Sequence, residues 1–131
     1  MADATPPIVI DGDGMFDVYP TIASACEWLE VKDVKDGLYK AFDSEGRTLR
    51  LVALSNGVSI EVPAASNPDP AKLERRLREH IQKVGVDRVG IANLEDAPLP
   101  MLLDALLRFQ SQDSNRRKWS LRTFLRRLAR R

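Results

Sequence analysis

An α+β fold built on a mainly antiparallel sheet of four or five strands is what this sequence predicts, and three observations carry that reading. Residues 38–62 hold three short runs of alternating apolar and polar residues, separated by two tight-turn signatures, the pattern of an antiparallel meander. Residues 70–84 carry an apolar stripe at helical spacing, with a capping residue at each end. At 131 residues, 44% apolar and 30% charged, the chain has the size and composition of one domain around one hydrophobic core.

In chain order, residues 1–7 are small, polar or proline and are expected to fray. Ile8 to Ile10, the turn formers Asp11-Gly12-Asp13-Gly14, and Met15 to Tyr19 read as a hairpin, which Pro20 stops. Thr21 is an N-cap for a helix of about three turns, in which Ile22, Ala25, Cys26 and Leu29 recur at i, i+3, i+4 and i+7 while Glu27 and Glu30 face water. Asp36-Gly37 ends a linker, and Leu38 to Asp43 begins the meander. Asp43-Ser44-Glu45-Gly46 is a type I turn closed by a left-handed glycine, and in the strand after it Leu49, Leu51 and Ala53 alternate with Arg50 and Val52. Ser55-Asn56-Gly57 forms a tight hairpin into Val58, Ile60 and Val62. With a half-polar alternation on each strand, one sheet face is expected to be buried and the other wet or covered by another layer.

Pro63 to Pro68 is a loop. Asp69 caps a helix with Pro70 in its first turn, Leu73, Leu77, Ile81 and Val84 form its inner stripe, and Gly85 ends it. Val86 to Ile91 reads as one more short strand. Pro98-Leu99-Pro100 opens a helix that is apolar nearly all round, which requires burial against two partners: the body on one side, and the terminal helix or another subunit on the other. Gln110 to Asn115 is a polar break. Beyond it, Leu121, Phe124, Leu125 and Leu128 mark one face of a basic amphipathic helix over 116–131.

Charge divides the chain in the same place. Residues 1–112 hold 12 basic and 18 acidic residues, a net −6, whereas residues 113–131 hold eight basic and one acidic, a net +7. The expected organisation is an acidic α+β domain over 1–112 and a basic helical appendage over 113–131. No apolar run is long enough to cross a bilayer and the N-terminus lacks the pattern of a secretory signal, so the expected location is the cytoplasm. One cysteine excludes an internal disulfide and cysteine-cluster metal sites.

Catalytic and metal-binding patterns are not found. Asp11-Gly12-Asp13-Gly14 begins like a calcium loop, but Met15 and Phe16 occupy the positions that need an oxygen ligand and a glycine, which leaves hairpin-turn chemistry. The single histidine, His80, falls on the inner side of its helix with no nucleophile or ligand set implied by spacing. Cys26 lies on an apolar stripe and reads as a small core residue, and Trp28 as an apolar anchor. No cofactor is expected. The candidate contact residues are Arg116, Arg117, Trp119, Arg122, Arg126, Arg127 and Arg130, which could hold a protein partner, nucleic-acid phosphates or an anionic membrane surface, or meet the acidic body or a neighbouring subunit while the apolar face docks on residues 98–109.

The order of Asp17-Val18-Tyr19-Pro20, Trp28-Leu29-Glu30, Asp36-Gly37-Leu38-Tyr39, Ala41-Phe42-Asp43 and Glu45-Gly46-Arg47 resembles that of small actinobacterial proteins, some of them similar to immunity proteins of polymorphic toxin systems. The resemblance covers about residues 8–85. It implies a non-enzymatic protein that binds and blocks a toxin, with an acidic body suited to a basic partner surface. The expected function is therefore a small protein-interaction module, with a protein partner or a homo-oligomer; nucleic-acid or membrane-surface binding through 116–131 is the alternative.

Overall fold

The computed structural model describes residues 3–112, and within them the α+β architecture is present. Strand β1 (Ile8–Gly12) turns back into β2 (Met15–Tyr19) through Asp13-Gly14, whose φ values of 56° and 88° are those of a type I′ hairpin. Asp11 closes the turn by accepting the Gly14 N–H at 2.8 Å. Thr21 then caps α1 (Ile22–Trp28) with a reciprocal box: its hydroxyl accepts from the Ser24 N–H at 3.0 Å, and the Ser24 hydroxyl accepts from the Thr21 N–H at 3.2 Å. The helix has two turns rather than the expected three. Leu29 leaves it in an extended conformation and is buried, and a second short helix, α2 (Val31–Lys35), occupies the expected linker.

Three strands follow: β3 (Lys40–Phe42), β4 (Thr48–Leu54) and β5 (Gly57–Glu61). The five strands form one sheet in the order β2-β1-β3-β4-β5, with every neighbouring pair antiparallel. Three helices complete the described chain: α3 (Pro70–Val84), α4 (Val86–Val89) and α5 (Leu99–Gln112).

Strand alternation sends successive side chains to opposite faces, and each face gathers its own core. Ile8, Ile10, Tyr19, Ala41, Leu49 and Val58 pack with Ala25 and Leu29 beneath α1 and α2. Val9, Phe16, Val18 and Phe42 pack on the other face against Leu73, Leu77 and Ile81 of α3, Val89 of α4, and Leu102, Leu103 and Leu106 of α5. Each fully buried Leu or Ile of this kind contributes about 2 kcal/mol of transfer free energy. The result is three layers, with the sheet in the middle.

Three further expectations change. The N-terminal segment is tied down from residue 4: Ala4 is buried, the Thr5 N–H donates to Asp43 at 3.2 Å, and the Ser44 N–H donates to the Thr5 carbonyl at 2.9 Å. Residues 86–91 form a helical turn instead of a strand. Gly85 and Gly90, at φ 121° and 85°, bracket it, and Val86 and Val89, three apart, both turn to the α3–α5 core. The edge where a further strand could pair with β2 is occupied by α5. That helix also runs through the expected polar break as far as Gln112. Gln110 stays within the helix because it is buried with its polarity satisfied: Oε1 accepts the Val18 N–H at 3.0 Å and Nε2 donates to Asp17 at 3.3 Å. Among the described residues α5 packs against β2, α3 and α4. Docking of Leu121, Phe124, Leu125 and Leu128, like the boundary at residue 113, falls outside the described residues.

Candidate binding surface

The α3–α5 layer is narrower than the sheet it covers. Its core contacts reach β2, β1 and β3, and at β3 the Arg76 guanidinium of α3 lies over the Phe42 ring at 5.5 Å. From Phe42, the register carries the same face onto Thr48, Arg50, Val52 and Leu54 of β4, and onto Gly57, Ser59 and Glu61 of β5. None of these residues belongs to the core cluster under α3–α5. Leu54 is 44% exposed, Val52 is half-exposed, and Arg50 and Glu61 are exposed with a loose 3.9 Å ion pair between them. The surface is thus a step. Its floor is the outer face of β4–β5, and its wall is the flank of α3 where Lys72 and Lys83, four residues before and seven after Arg76, share a side with it.

At one end of the wall, the β1–β2 turn approaches α3 and leaves a small cleft of about 140 Å³, lined by Asp11, Gly14, Phe16, Arg76, Glu79, His80 and Lys83. Phe16 and His80 meet edge to face with ring centroids 5.3 Å apart. Burial pushes the His80 pKa down to about 4 and Lys83 pushes the same way, while the Gly14 backbone and Asp11 pull it back up. At neutral pH the imidazole is therefore uncharged. Around the imidazole the lining contributes two carboxylates, an amine and a guanidinium, from Asp11, Glu79, Lys83 and Arg76.

Cys26, expected in the core, sits half-buried at its margin, and burial raises its pKa, which keeps it the protonated thiol. Among the described residues no group of His, Cys, Asp and Glu is placed to hold a metal ion, and no helix is long and apolar enough to cross a membrane. The candidate contacts Arg116, Arg117, Trp119, Arg122, Arg126, Arg127 and Arg130 lie outside the described residues. The step was not legible in the sequence, because alternation shows that Val52 and Leu54 share a face but not that the covering layer ends before reaching them. Comparison with protein-family models, with curated proteins and with solved structures finds no match to this chain.

Proposed function

We propose that this chain is a small non-enzymatic protein-interaction module that binds a protein partner on the step between α3 and β4–β5. The observation that carries the reading is the half of a sheet face that no described layer covers, with Leu54 and Val52 as an apolar floor inside a charged rim of Arg50, Glu61, Lys72 and Arg76. A small apolar centre with a polar surround is the anatomy of a protein contact. On the resemblance to immunity proteins, the partner is a toxin whose working surface the module would block. Val52→Arg and Leu54→Arg place charge on the floor without touching either core cluster. A stable stoichiometric complex recovered from the native host should be lost in both variants and kept in Met101→Arg, which alters the exposed side of α5. A complex indifferent to residues 52 and 54 would remove the step as the binding face. Nucleic-acid or membrane-surface attachment through residues 116–131 is the second reading, favoured by the net +7 of residues 113–131.

A further inference from the structure

The two edges of the sheet are finished differently. Helices pack on both edge strands, α5 on β2 and α1 on β5, but along β2 Gln110 also accepts the outward Val18 N–H. β5 forms the other edge, and among the described residues no hydrogen bond from another segment reaches its outer side. The Ser55-Asn56 turn closes on the pair Leu54 and Gly57. By antiparallel alternation, Gly57, Ser59 and Glu61 therefore bond to β4, while the N–H and C=O groups of Val58 and Ile60 point away from it. Residues 57–61 contain no proline, lysine or bulge, and their one charge is at the end, on Glu61.

This edge is complementary to itself. Laid antiparallel on a second copy with the two-fold axis at Ser59, Val58 faces Ile60 of the second copy and Ile60 faces its Val58, so that all four outward groups of each strand are paired. The two Ser59 side chains meet in the intervening close pair, where small residues fit. On the opposite face Ile60, only partly buried in one copy, comes to lie against the second copy's Val58 and extends the apolar row beneath α1. We infer that the chain forms a two-fold dimer through β5, doubling the five-stranded sheet into one continuous sheet. The inference uses the edge, whereas the proposed partner uses the face, so either can fail without the other.

The test is made on the full chain. In a Cys26→Ala background, Ser59→Cys should form a disulfide-linked dimer under mild oxidation, whereas Ser55→Cys in the turn should not. Ser59→Lys sets two ammonium groups against each other across the axis at a half-exposed position, and should weaken the dimer several-fold at low salt, with recovery as salt rises. Ile60→Pro deletes an outward N–H that bonds to no described residue of its own chain, and sedimentation should find this variant monomeric. A wild-type chain that sediments as a monomer up to high micromolar concentration would overturn the inference, as would a dimer that ignores Ser59→Lys and stays unlinked on oxidation of the Ser59→Cys variant.

Discussion

Asp43 is fully buried, and its side chain accepts from four donors: the Thr5, Glu45 and Arg47 N–H groups at 3.2, 3.0 and 2.9 Å, and the Arg47 guanidinium at 3.3 Å. It joins the N-terminal segment to the β3–β4 turn, and the turn in turn rests on the start of α3, where a side chain at Gly46 would collide with the Asp69 carbonyl. Asp43→Ala removes one acceptor from four donors at once and should cost about 2–4 kcal/mol in urea unfolding. Asp104→Ala, which breaks an exposed pair with Arg108, should cost under about 0.5 kcal/mol. His80 gives the second residue-scale expectation. Its folded pKa of about 4 lies below the ordinary 6.5, so as pH falls the unfolded chain takes up the proton first. The stability held by the neutral imidazole is then full above pH 6.5 and drains away as pH falls toward about 4, by up to about 3 kcal/mol at roughly 1.4 kcal/mol per pH unit. With one histidine in the chain, its NMR titration is unambiguous. A midpoint near 6.5, or a His80→Gln variant with the same acid sensitivity as the parent, would contradict this.

Among the elements, those whose signals are local matched their sequence. The β4–β5 hairpin follows from Ser55-Asn56-Gly57 and strict alternation, and α3 from Asp69, Pro70, the Leu73–Leu77–Ile81 stripe and Gly85. The departures have tertiary causes. Leu29 ends α1 with neither glycine nor proline to announce it, and Val86–Val89 could be strand or helix until the β2 edge is known to be filled. Gln110 looked like a break because its two partners, Asp17 and Val18, lie more than 90 residues away in sequence. That bridge can be tested. Gln110→Ala strands the Val18 N–H at the sheet edge and should cost about 1–3 kcal/mol, with amide exchange at Val18 accelerating more than at Val9, whose strand lies inside the sheet. Equal acceleration at both positions would mean that α5 acts through general packing alone. The step beside α3 was hidden for a related reason: it exists because one layer stops short, and the extent of a layer is not encoded in any one strand.

For the whole molecule, the near-neutral total of +1 joins a body of net −6 to a tail of net +7. Both core clusters draw on residues from Ala4 to Phe109, so a chain ending at Gln112 is expected to fold by itself. It should unfold cooperatively in urea with a denaturant slope in proportion to its length, since that slope follows the surface exposed on unfolding. Its loss of eight basic residues makes it the right control for anion binding. If residues 116–131 engage phosphate, the full chain should bind single-stranded DNA, RNA or anionic vesicles with an affinity that falls steeply with salt, each phosphate contact to a single strand adding about 0.7 to the log–log slope. The shortened chain, repelled by the same ligands at net −6, should bind none of them while still recognising a partner through Val52 and Leu54. A shortened chain that cannot fold would refute the division at residue 112. A full chain that binds no polyanion at low salt would leave the tail to a protein contact, and the step beside α3 as the surface on which function rests.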